Sequence, residues 1–130
     1  MIQWNEKISV NHNGIDEQHK KLIDIIEQIS LLSGNKGHDF SQLLEVINEL
    51  DSYIEEHFKY EEDLMSKYNY IEMNEHVKQH NQLREKMEGI NIFEVEKTEE
   101  FYKELLASLV DWLLRHIMQT DKKLGAFLLK

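Results

Sequence analysis

Seven residues able to bind a metal ion sit where helical periodicity calls for apolar side chains. In the first amphipathic stretch Leu22, Ile26 and Ile29 form a stripe, and one step back along it lies His19. In the second, Leu43, Ile47, Leu50 and Ile54 continue to His57, Glu61 and Leu64. The third reads Met73, His76, His80, Leu83, Met87. The fourth reads Leu106, Leu109, Leu113, His116, with Asp121 on the adjoining edge beside Ile117 and Leu124. Steps of three and four keep a side chain on one helix face. Five imidazoles and two carboxylates are therefore expected inside the molecule. An ionised carboxylate in an apolar interior must be paired, protonated or metal-bound. No Lys or Arg lies on these stripes nearby, and Lys59 and Arg115 are expected to face outward. A metal ion is the obvious partner.

The spacings suit ligands. His57 and Glu61, like His76 and His80, are four apart, which stacks each pair within reach of one centre. His116 and Asp121 are five apart, so the end of that helix must open or tilt. Seven ligands are too many for one tetrahedral zinc. Two near-octahedral ions sharing carboxylate bridges would use them all, and a mixed imidazole and carboxylate set suits iron. A single histidine on an apolar face is more often a satisfied core residue. That explanation covers one or two such residues, not five in one layer, because buried charge rarely goes unpaired. His12 and His38 lie off the stripes and are expected to be exposed and non-ligating. Asp16 reads as a helix N-cap, and Glu55, Glu56, Glu62 and Asp63 as a solvated face. Met65, Met73 and Met87 read as core fillers.

Four helices must position these groups. The first is expected from Asp16 to about Leu32, stopping at Ser33-Gly34-Asn35-Lys36-Gly37. Asp39 and Gln42 form a variant capping box before a second helix that reaches about Lys67. Tyr68-Asn69-Tyr70 reads as a tight helix–helix turn. The third helix runs from about Glu72 to Met87 with Gly89 as its C′ residue. Ile90, Ile92 and Val95 then alternate in a connecting loop. Thr98, followed by Glu99 and Glu100, starts a fourth helix that reaches about Thr120. Lys122 to Lys130 extend it or form a short extra helix. The fold class is thus all-α: an antiparallel up-down-up-down four-helix bundle with an irregular N-terminal arm, in one domain over residues 1–130. In that topology the start of the first helix, the end of the second, the start of the third and the end of the fourth share one end. All seven polar groups then lie in one layer.

Composition agrees. The 130 residues hold no Pro, as unbroken helices require, and no Cys, which excludes disulfides and thiolate-bound zinc or iron–sulfur clusters. A net charge of -10 makes nucleic-acid binding improbable. No apolar run approaches a membrane span, and the N-terminus lacks a signal-peptide pattern, so a cytoplasmic location is expected.

The set His19, His57-x3-Glu61, His76-x3-His80 and His116-x4-Asp121, with Ile15-Asp16-Glu17-Gln18-His19-Lys20 on the first helix, resembles the hemerythrin family, and most of all the single-domain bacterial hemerythrins. The resemblance covers nearly the whole chain, including Trp4. It implies a non-haem di-iron centre that binds O2 reversibly, for storage, transport or delivery. His76, His80 and His116 would bind one iron, and His19 and His57 the other. Glu61 and Asp121 would bridge both, beside a hydroxo or oxo bridge. One coordination position on the second iron would remain for O2, with NO or small anions as further ligands. Leu22, Phe58, Trp112, Leu113 and Ile117 are expected to line the O2 pocket. The competing expectations are an O2 or NO sensor module and a di-iron oxidase or peroxidase. Ferritin-like enzymes use carboxylate-rich sets, and five His to two carboxylates favours the carrier over an enzyme.

Overall fold

A computed structural model describes residues 4–34, 40–92 and 99–129. The described helices are α1 (Asn13–Gly34), α2 (Phe40–Lys67), α3 (Met73–Ile92), α4 (Glu99–Arg115) and α5 (Lys122–Leu128). A π-helical segment, His116–Asp121, joins α4 to α5, and a short 3-10 turn, Glu6–Ile8, precedes α1. Helices α1 to α4 form an antiparallel four-helix bundle. α1 packs on α2 and on α4, and α2 packs on α3. Lys86 on α3 donates to Ser108 on α4, which closes the ring.

The apolar stripes do what periodicity implies. Leu22, Ile26, Ile29, Ile47, Leu50, Ile54, Leu83, Leu109 and Leu113 are buried in one cluster. A second cluster, Val10, Ile15, Met65, Tyr70 and Leu124, lies toward the α2–α3 turn. The side chains of Leu43 and Leu106 fall outside the described residues. Lys59 and Arg115 are exposed, as expected.

The α2–α3 turn has a Schellman geometry. The Tyr70 amide donates to the Met65 carbonyl and the Asn69 amide to that of Ser66. This requires a left-handed residue at C′, and Asn69 supplies it with φ 54°. Tyr70 and Met65 pack together in the second cluster, the apolar contact that accompanies the motif.

Two boundaries differ from expectation. α1 begins before Asp16, and its cap is His12, whose Nδ1 accepts from the Ile15 amide at 3.1 Å. His12 is accordingly half-buried rather than exposed. Asp16 instead holds the arm: it accepts from Ser9 Oγ at 2.6 Å and from the Val10 amide at 2.9 Å. α3 runs through Gly89 to Ile92, so Ile90 and Ile92 are helical rather than looped. A glycine inside a helix costs only about 1 kcal/mol relative to alanine, too little to stop a packed helix. His38, Asp39, Val95 and Thr98 lie outside the described residues. The expected short C-terminal helix is α5.

Candidate metal centre

Each helix brings its share of one polar layer between the two apolar clusters. α1 carries His19, α2 carries His57 and Glu61, α3 carries His76 and His80, and the π segment carries His116 and Asp121. All seven are buried, with at most 3% exposure, at His116. The π segment resolves the five-residue spacing. In an α-helix His116 and Asp121 would point about 140° apart. The wider π turn, a feature common at functional sites, brings His116 Nε2 within 3.0 Å of Asp121 Oδ1.

The two carboxylates organise the five imidazoles into two groups. Asp121 Oδ1 lies 3.0 Å from the Nε2 atoms of His76 and His116, while its Oδ2 lies 2.9 Å from His19 Nε2. Glu61 Oε1 lies 3.3 Å from His76 Nε2 and 3.1 Å from His80 Nε2. Its Oε2 lies 3.6 Å from His57 Nε2. One oxygen of each carboxylate thus serves the group His76, His80 and His116, and the other serves His19 and His57. The ligand atoms of each group, with the shared carboxylates, lie within 4.8 Å of one another.

All five Nε2 atoms face these carboxylates, and three Nδ1 atoms are bonded outward. His57 Nδ1 donates to Gln18 Oε1 at 2.7 Å, His80 Nδ1 to Glu62 Oε2 at 2.9 Å, and His116 Nδ1 to Gln79 Oε1 at 2.8 Å. Such contacts fix the tautomer that leaves Nε2 free for a metal. Each partner is the neighbour in sequence of an inward residue on the adjacent helix: Gln18 of His19, Glu62 of Glu61, Gln79 of His80. One helical step turns a side chain by about 100°, from the centre toward the next helix. Sequence reasoning missed all three, and this one-step offset was the signal. Glu62 in particular is not part of a solvated face.

The electrostatics of the layer set burial against the paired charges. Burial pushes His57 down to about 4. Burial and Asp121 both act to raise Glu61, but His57, His76 and His80 hold it at about 2. Burial likewise opposes the charge on Asp121, yet His116, His19 and His76 keep it well below the usual carboxylate range. At His76 burial is overcome by Asp121 and Glu61, which lift it to about 9. Two ionised carboxylates therefore sit in the core, and they raise His19 and His76 against the burial of those rings. His57 Nε2, His116 Nε2, Glu61 Oε2 and Asp121 Oδ1 are buried with no hydrogen-bond partner. All four belong to the central layer, and cations there would satisfy them. The donor set fits a pair of metal ions.

Of the residues expected around the site, Leu22, Phe58, Leu113 and Ile117 are buried. Phe58 stacks on His80 at 3.8 Å between centroids and 7° between planes. Trp112 is half-buried and stacks on His116 at 4.7 Å and 13°.

The family profile for the hemerythrin HHE cation binding domain matches residues 11–128. The chain belongs to the hemerythrin family. A bacteriohemerythrin of Clostridium acetobutylicum is 29% identical over 126 residues, covering 95% of this chain and 98% of that one. A myohemerythrin of Theromyzon tessulatum is 31% identical over 121 residues, 93% of this chain and 88% of its own. A bacteriohemerythrin of Campylobacter jejuni is 31% identical over 125 residues, covering 95% and 92%. A crystal structure of wild-type hemerythrin superposes with a TM-score of 0.84 over 97% of this chain and 96% of its own, at 24% identity, which establishes the hemerythrin fold. No helix among the described residues is long and apolar enough to cross a membrane.

Proposed function

We propose that this hemerythrin-family chain binds O2 reversibly at a di-iron centre, in storage or delivery rather than turnover. The observation that carries this reading is the division of Glu61 and Asp121, each with one oxygen toward three imidazoles and the other toward two. His76, His80 and His116 would hold one iron, His19 and His57 the second, and the two carboxylates, with a hydroxo or oxo bridge, would join them. Iron held by these residues would supply the electrons for reversible O2 capture.

The chain's own part is to hold and to enclose. Gln18, Glu62 and Gln79 fix three imidazole rings so that Nε2 faces inward. Phe58 and Trp112 cover the His80 and His116 rings, while buried Leu22 lies one turn from His19. With Leu113 and Ile117 they make an apolar wall that excludes water and its protons, and such a shell governs the chemistry of a metal site. An imidazole-rich, closed site of this kind supports a carrier rather than an oxidase.

Chain purified without chelators should contain about two iron ions, the number the ligand count implies. The reduced protein, exposed to O2, should develop an absorption band that disappears under vacuum and returns on re-exposure. Irreversible oxidation with release of peroxide would overturn the carrier reading, and one zinc per chain would overturn the di-iron site.

A further inference from the structure

Among the three outward imidazole contacts, one differs in kind. His57 and His116 donate to neutral amides, whereas His80 donates to the carboxylate of Glu62. That carboxylate is gripped from its other side. Arg84 Nη1 lies 3.0 Å from Glu62 Oε2 and Nη2 lies 3.3 Å from Oε1, while Arg84 Nε donates to Glu55 at 2.6 Å. The guanidinium also lies 5.1 Å from the ring centroid of Phe58, the ring stacked on His80. Glu55, Arg84 and Glu62 thus form a chain from the surface to the back of one imidazole, with Phe58 holding that imidazole's face.

A charged acceptor makes a stronger hydrogen bond than an amide. It also draws the Nδ1 proton and leaves more electron density on Nε2, which raises the ligand's basicity. We propose that Glu62, clamped by Arg84, is a positioning residue that makes His80 a stronger donor than His57 or His116 and so favours the ferric state at the three-histidine position. The inference rests on the di-iron reading for its redox consequence, while the hydrogen bond itself stands without iron.

The test uses the full chain and E62Q, which keeps the shape and removes the charge. In the metal-free protein, ring 15N–1H correlations of His80 should show a proton on Nδ1, far downfield, that moves upfield in E62Q. In the iron-loaded protein E62Q should release iron to a chelator about tenfold faster, within the range usual for such outer partners. Its ferric-to-ferrous preference should fall by about tenfold, equivalent to about 59 mV for a one-electron couple. E62D should lie between the two, and it serves as the probe if E62Q does not fold. D63N removes an equal charge from an exposed carboxylate that is paired only with Lys59 and lies outside the Glu55–Arg84–Glu62 chain, and it should match the parent. An Nδ1 without a proton in the metal-free chain, an unchanged potential in E62Q, or an equal shift in D63N would each overturn the proposal. A chain that takes up no iron would overturn the di-iron reading instead, and the metal-free spectra would still decide the role of Glu62.

Discussion

His57 and His76 flank the same carboxylate, Glu61, yet treat their protons oppositely. Burial holds His57 at about 4, so the folded chain refuses a proton that the unfolded chain accepts near 6.5. Its contribution to stability is whole above about pH 6.5 and is lost as pH falls toward 4. His76, lifted to about 9 against its own burial by Asp121 and Glu61, contributes fully below about pH 6.5, and this is lost as pH rises through 9. Each effect is on the order of 3 kcal/mol. The metal-free chain should therefore be most resistant to urea near pH 6.5 and weaker at pH 5 and pH 9. Iron takes the proton's place on His76, so the loaded chain should lose the alkaline decline, and a flat metal-free profile would contradict the assignment. The same residues predict metal retention: H76A or H116A should drop iron below about one ion per chain. H12A should keep its iron and lose about 1 kcal/mol of helix stability, because His12 caps α1. The seven inward residues were legible in the sequence because burial cost and helical period point to them independently. Gln18, Glu62 and Gln79 were not, since a polar residue one step off a stripe looks like any surface residue until the neighbouring helix is in place.

At the scale of elements, the legible features were those written in local chemistry. The Asn69 turn and the α5 extension follow from residue type and period, whereas the end of α3 does not. Gly89 signals a stop, yet the helix runs on to Ile92, since one glycine costs a helix only about 1 kcal/mol. The role of Asp16 was hidden for another reason: its acceptor oxygens meet Ser9 and Val10, and the path of the arm is a tertiary fact. That arm crosses α5 closely enough that a Cβ at Gly125 would collide with the Val10 carbonyl oxygen. The arm is thus fastened at Val10 from two sides, by the Asp16 carboxylate and by the close approach to Gly125. D16N should cost about 1.5–3 kcal/mol, the range for a hydrogen bond to a charged group. G125V should cost about 1–3 kcal/mol through overpacking. Because both act on one strand of backbone, the double variant should cost less than their sum. Strict additivity in urea denaturation would show that the arm is not held as one unit.

Across the whole molecule the polar layer separates two apolar regions of unequal size. On one side lies the large cluster from Leu22 through Ile29, Ile47 to Ile54, and Leu83, Met87 and Leu109. On the other lies the small one of Val10, Ile15, Met65, Tyr70 and Leu124, which the arm and α5 help to close. Burial of apolar area scales with the number of such side chains, so the larger cluster can hold its end of the bundle without help. The smaller end is joined to it through a layer that buries two ionised carboxylates and leaves four central atoms unbonded. Ions that bind only the folded chain stabilise it by mass action, and here α1, α2, α3 and the π segment that follows α4 would each supply a ligand. Removing iron should therefore leave helical circular dichroism nearly intact while lowering Tm. Amide exchange should accelerate at the site end, around residues 13–22, 57–67, 73–80 and 116–128. Protection around Ile26, Ile29, Leu50 and Leu109 should change little. Uniform loss of protection along all four helices would mean that the two ends fold as a single unit, with the large cluster depending on the metal layer as much as the small one does.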